Sequence, residues 1–233
     1  MQKKKFKNSL NPLLYILTQP SNVEKVIQQL QIAYPESKTS LDFKNTYQLL
    51  VATMLSAQST DKVVNTVTPS LFKKYPSIKE LNKAKLDDLI EIIKTVGLYN
   101  IKAKNLILMS NKVEKEFNGE IPNTIKGLTG LPGVGRKTAT AVLANAFGIT
   151  DQGITVDTHM MRICRRLGWT SIEKSDATKI EKDLMNVIPQ KFWGGITHLI
   201  IDHGRTICIA KNPRCPKCVI EEFCPSSLLR QIK

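Results

Sequence analysis

The chain has 233 residues, 42% of them hydrophobic and 23% charged, which at about 150 residues per domain is enough for one large domain or two modest ones. That composition excludes disorder over most of the length, and no run approaches the ~18 apolar residues a membrane span needs, so a soluble protein is expected. Lys and Arg outnumber Asp and Glu by 34 to 20, a net charge of +14, which points to nucleic acid or another anionic surface and says nothing about fold.

At the amino end, Lys3, Lys4, Lys5 and Lys7 form a tail-like basic cluster. The five apolar residues Leu13 to Leu17 follow it, bracketed by Pro12 and Gln19-Pro20. That run is too short for a secretory signal, whose apolar core spans about 7 to 15 residues. No acidic residue precedes Glu24, which keeps an organellar transit segment open as an alternative, weakened by the absence of Arg. The remaining charge is spread: residues 1–38 carry 6 basic and 2 acidic groups, residues 39–151 carry 15 and 10, and residues 152–233 carry 13 and 8. The excess therefore reads as an extended contact face, against the plainer reading of a solvated surface.

From residue 23 onward the apolar periodicity is helical, so the expected fold is all-α. Helices are expected over residues 23–33, 46–57 and 61–74, with Pro69 kinking or dividing the third. Leu86, Leu89, Ile90, Ile93 and Val96 keep one helical face, after which Gly97 supplies a stop. The same logic carries the next helix through Ala103, Leu106, Ile107, Val113 and Phe117 to Gly119. Further helices are expected over 136–147, 158–167, 173–187 and 191–207. Turn residues concentrate at Pro35–Thr46, Asn118–Thr124 and Gly148–Gly153.

Between two of these helices stands Leu131-Pro132-Gly133-Val134-Gly135-Arg136-Lys137-Thr138. Glycines at 133 and 135 let consecutive backbone amides approach an anion, and the helix start behind them adds partial positive charge. A phosphate is the natural guest. The run is not a Walker A loop, because Arg136 intervenes after Gly135 and Thr124 to Thr129 is not a buried strand. Lys137 falls in the first turn, where the macrodipole opposes an ammonium ion. Partial desolvation there would free its amine as a nucleophile, and a plain phosphate-binding lysine is the competing reading. Asp157, ahead of the helical run from Met160, reads on its own as an N-cap. His159, His198 and His203 read as structural histidines.

Cys208, Cys215, Cys218 and Cys224 fall within seventeen residues. In a reducing compartment such density suggests a metal or cluster rather than disulfides. Zinc remains open, although structural zinc sites usually combine two knuckles and only one C-x-x-C is present. The single run, ending in Cys224-Pro225, leans toward an iron–sulfur cluster. Cys164, among apolar residues, reads as a structural thiol.

Taken together, Leu55 to Asp61, Gly97-Leu98-Tyr99-Asn100, Leu131 to Thr138, Val156 to His159, His203-Gly204-Arg205 and the four-cysteine run resemble the endonuclease III family of helix-hairpin-helix DNA glycosylases. The likeness covers roughly residues 24–225. It implies a two-domain all-α fold. Residues 1–38 would hold an N-terminal extension and the first part of an iron–sulfur domain, 39–151 a six-helix domain with the hairpin, and 152–233 the rest of the cluster domain. It implies Lys137 as the nucleophile that forms a Schiff base at C1′ of the damaged nucleotide, followed by β-elimination. Asp157 would be the catalytic carboxylate, and Cys208, Cys215, Cys218 and Cys224 the ligands of a [4Fe-4S] cluster.

For DNA binding the resemblance implies the amides of Gly133, Val134 and Gly135 with Arg136, the inserting side chains of Gln58 and Leu98, and the basic loop residues Lys211 and Arg214. Plainer readings stand beside the two inserting residues: Gln58 as a polar helix end, and Leu98 packing on Ile93 as the closure of a cap built on Gly97. The expected activity is removal of oxidised pyrimidines from duplex DNA with strand cleavage, by a cytoplasmic monomer without a membrane partner. Alternatives are an adenine-type glycosylase, which lacks the lysine and usually carries a further C-terminal domain, and a non-catalytic helix-hairpin-helix binding protein. About twenty additional residues at the amino end and a slightly long Ile149–Gly153 loop depart from the family pattern.

Overall fold

The computed structural model describes residues 20–172 and 176–230. The basic cluster at Lys3–Lys7, the Leu13–Leu17 run and the first three residues of the helix expected over 173–187 lie outside the described residues. Among the described residues there are eleven α-helices and no strand. These are α1 (Pro20–Ala33), α2 (Thr46–Ser56), α3 (Asp61–Lys74), α4 (Ile78–Asn82), α5 (Leu86–Ile93), α6 (Tyr99–Phe117), α7 (Ile125–Thr129), α8 (Arg136–Ala146), α9 (Thr158–Arg166), α10 (Ala177–Val187) and α11 (Trp193–Thr206). Short 3₁₀ turns at 190–192, 215–217, 221–223 and 228–230 complete the helical content. Among the described residues no helix is long and apolar enough to cross a membrane.

Side-chain caps decide where most of these helices begin. Asn45, Thr60, Ser77, Thr124, Asp157 and Asp176 each accept a hydrogen bond from an amide in the first turn of α2, α3, α4, α7, α9 and α10, each such cap contributing about 1 kcal/mol. Helix α3 runs unbroken through Pro69. The proline removes one amide donor, but Val64, Val67 and Leu71 on the same helix stay buried, and that apolar face holds the segment together. Helix α5 closes earlier than the pattern suggests, at Ile93, and Gly97 is not its left-handed cap: the positive φ belongs to Leu98.

The chain divides into two compact units, one taking residues to Lys38 and from Val156 onward, the other Thr39–Thr155. The second unit holds α2 to α8 around a core in which Leu50, Leu55, Leu71, Leu81, Leu89, Ile93, Leu106 and Met109 are fully buried. Burying each such side chain is worth about 1.5–3 kcal/mol. The first unit packs α1 against α11. Tyr34 Oη lies 3.1 Å from His203 Nδ1 and 3.0 Å from Thr206 Oγ1, and Ser37 Oγ donates to Asp202 Oδ2 at 2.7 Å.

Candidate active site

The glycine-rich run forms a hairpin between α7 and α8 in the second unit. Leu131 N donates to Leu128 O at 3.0 Å and Val134 N to Leu131 O at 3.1 Å. The side chains of Leu131 and Val134 sink into the core. Val134 is thus the anchor of the turn, with its amide used internally. The two glycines serve different ends. Gly133 has φ +77, and a Cβ there would stand 2.9 Å from Asn105 Cβ on α6, so the protein itself requires it. Gly135 has an ordinary negative φ and nothing within 4 Å of its missing Cβ.

No side chain caps α8. A helix start without a side-chain cap offers its first amides and the helix dipole to an anion. Lys137 is the second residue of that helix and is exposed. Arg136, also exposed, donates to Gln152 O at 3.2 Å and ties the helix start to the Gly148–Gly153 loop.

Gln58 and Leu98 come together in the same unit. Both are exposed, Leu98 by 51%, and both adopt left-handed backbone, with φ of 55° and 58°. A Cβ on Gly97 would stand 2.8 Å from Gln58 O, and Gly97 N donates to Ser59 Oγ at 3.0 Å, so the two loops touch through backbone. The cap built on Gly97 does not form, since the left-handed φ belongs to Leu98, whose side chain is half exposed.

Asp157 belongs to the first unit and is the N-cap of α9, its Oδ1 accepting from Met160 N at 2.8 Å. Its Oδ2 lies 3.1 Å from His159 Nδ1. Where the carboxylate is ionised it only accepts, and that ring nitrogen is then the donor. This pairing was not visible from sequence spacing.

Cys208, Cys215, Cys218 and Cys224 are free thiols that line one cavity with Arg166 and Arg214. Among the described residues no three metal-ligating side chains close on a single ion position. Burial pushes the Cys218 and Cys224 thiols up to about 11. Arg166, at the end of α9, donates to Cys208 Sγ at 3.1 Å, to Ile209 O at 3.0 Å and to Ala210 O at 2.8 Å. His203 Nε2 stands 3.5 Å from Cys218 Sγ, and burial pulls its imidazole down to about 4, leaving it neutral at pH 7. Gly204 explains its own place in the motif: a Cβ would collide with His159 Cδ2 at 2.7 Å and with Arg162 at 2.9 Å. Lys211 and Arg214 are exposed on the cysteine loop. Cys164 is buried, and burial raises its thiol well above the ordinary range.

Residues 51–190 match the HhH-GPD superfamily base excision DNA repair protein. Endonuclease III of Synechocystis sp. is 45% identical over 203 residues, covering 87% of this chain and 91% of the relative. Endonuclease III of Haemophilus influenzae is 40% identical over 200 residues, covering 86% and 93%. The chain belongs to the endonuclease III family. As a member of that family it is a DNA glycosylase and apurinic/apyrimidinic lyase. A solved structure of a trapped endonuclease III–DNA covalent intermediate, an estranged-adenine complex, matches the chain with a TM-score of 0.84 at 36% identity, covering 91% of this chain and 99% of that one. The endonuclease III fold thus accounts for the all-helical architecture and for the hairpin between α7 and α8.

Proposed function

We propose that this chain removes oxidised pyrimidines from duplex DNA through covalent catalysis by Lys137, and that it then cuts the strand at the resulting abasic site. The observation that carries the assignment is the exposed Lys137 in the first turn of a helix that no side chain caps, behind an open Gly135. A phosphate approaching those amides would bring the sugar of the neighbouring nucleotide to the lysine. In the proposed reaction Lys137 Nζ attacks C1′ and the base departs with the electrons of the glycosidic bond. The sugar ring opens at C1′–O4′ to give an iminium. Loss of a proton from C2′ then expels the 3′ phosphate, and water releases the lysine. Asp157 assists in taking the proton from the attacking amine and offsets positive charge on the sugar.

Extrusion of the damaged nucleotide leaves a gap in the stack. Gln58 and Leu98 are assigned to fill it, supported by their exposure and their adjoining loops. The backbone of Gly133 and Gly135 and the side chains of Arg136, Lys211 and Arg214 grip phosphates without reading sequence, as suits an enzyme that scans all DNA. Cys208, Cys215, Cys218 and Cys224 would hold a [4Fe-4S] cluster. The donor set fits: four cysteines line one cavity, and thiols raised by burial ionise readily only against positive charge. The cluster would supply a cross-link that keeps the Lys211–Arg214 loop in shape. A reducing cytoplasm is the setting in which these cysteines stay available as cluster ligands, and the acting species is proposed to be a monomer.

Borohydride reduction during turnover tests the nucleophile. With duplex DNA carrying an abasic or oxidised-pyrimidine site, the parent chain is expected to give a covalent adduct and Lys137→Ala none. An adduct at full yield in Lys137→Ala overturns the assignment.

A further inference from the structure

Lysine is almost never fully buried unless its ammonium ion is satisfied, and Lys102, in the first turn of α6, is only 7% exposed. Its Nζ donates to Leu55 O at 2.7 Å, to Ala57 O, and to Ser59 Oγ at 3.2 Å. Three ammonium protons thus meet three acceptors. That leaves Lys102 no donor with which to hold a DNA phosphate, and it is not a spare nucleophile. Burial also lowers its pKa, so a charged amine in this place must be held by its partners.

Those partners surround the two residues assigned to the gap in the duplex. Ala57 and Ser59 flank Gln58, and Ser59 Oγ also accepts from Gly97 N at 3.0 Å. On the other side, the backbone amide of Lys102 donates to Leu98 O at 3.1 Å. Lys102 is therefore bonded to the Leu98 turn by its main chain and to the Gln58 loop by its side chain. Both loop residues carry a left-handed backbone, with φ of 55° and 58°. For a non-glycine residue that conformation persists only where the surroundings fix it. Asn118, the remaining non-glycine residue with positive φ among the described residues, caps the far end of α6.

We propose that Lys102 is a positioning residue that locks the Gln58 loop and the Leu98 turn into one two-pronged wedge, so that both side chains enter the duplex together. The inference rests on the insertion roles proposed above for Gln58 and Leu98.

The test compares one oxidised pyrimidine in two settings: paired within a duplex, and already unpaired in a short bubble, where extrusion costs least. With the full chain, Lys102→Met is expected to lose about tenfold in kcat/KM on the paired lesion and to stay within about twofold on the unpaired one. Ser59→Ala, a milder change that removes the hydroxyl shared by Gly97 and Lys102, is expected to show the same selectivity at about threefold. Equal losses on both substrates for these variants overturn the proposal, because a merely structural role lowers the folded fraction for either DNA. Leu98→Ala separates the two levels. If it loses selectively on the paired lesion while Lys102→Met and Ser59→Ala do not, the Lys102 inference alone is wrong. If Leu98→Ala shows no selective loss, the insertion reading falls and the inference with it.

Discussion

The carboxylate of Asp157 is divided between two donors, with Oδ1 on the Met160 amide and Oδ2 near the His159 ring. The capping bond holds the carboxylate, so the catalytic role proposed for it and a structural role share one side chain. The two separate by substitution. Asparagine caps as well as aspartate, so Asp157→Asn is expected to melt within about 0.5 kcal/mol of the parent. Its turnover on damaged DNA should fall by about a hundredfold or more, with binding retained. Asp157→Ala should lose the cap as well, at about 1 kcal/mol. Thermal melting beside single-turnover kinetics checks this, and parental turnover in Asp157→Asn would end its catalytic assignment. The cap was legible in the sequence because Asp precedes a helical run. Lys102 was legible only in retrospect. It stands at helical spacing from Leu106, Met109 and Val113 on the buried face of α6, but nothing local names the carbonyls at Leu55 and Ala57 that receive it.

Whole helices were readable where several turns repeat one apolar face, as in α5 and α6. The five-residue helices α4 and α7 contain too few turns for a period to register, and α7 is the first arm of the hairpin. The turn before α6 was misread for a different reason. Gly97 is the residue with conformational freedom, yet its small size serves close contact with Gln58, while Leu98 takes the left-handed angle. In the hairpin the contrast between the two glycines yields opposite phenotypes. Gly133→Ala places a Cβ against Asn105 at φ +77 and is expected to cost about 1–3 kcal/mol of stability. Gly135→Ala meets open space, so stability should change by less than about 1 kcal/mol. The added methyl nonetheless occupies the approach to the uncapped amides, and affinity for duplex DNA should fall by about tenfold. Melting curves and DNA titrations at one fixed salt concentration measure both. A stable Gly133→Ala, or a Gly135→Ala that binds DNA like the parent, would contradict this division of labour.

At the scale of the molecule, both units are cationic. The first carries 19 basic and 10 acidic residues and the second 15 and 10, so neither is merely a carrier for a basic partner. Four thiolates around a doubly positive cluster core would bring the formal charge from +14 to roughly +12. Purified protein is expected to be brown and to contain iron instead of zinc. Removal of the cluster should weaken DNA binding by loosening Lys211 and Arg214, while the helices of the second unit persist. A colourless protein carrying zinc would exclude the cluster. The pairing of Tyr34 with His203, 169 residues apart, has a consequence for synthesis. Helix α1 leaves the ribosome well before the helix it packs against has been made, whereas Thr39–Thr155 is a continuous stretch with its own core. The Thr39–Thr155 unit is thus free to fold first, during translation, and the other unit closes only when the segment from Val156 onward returns to α1. Cys208 to Cys224 are made after all eleven described α-helices, so the cluster proposed for them would be inserted only once α1, α9 and α11 exist to receive it.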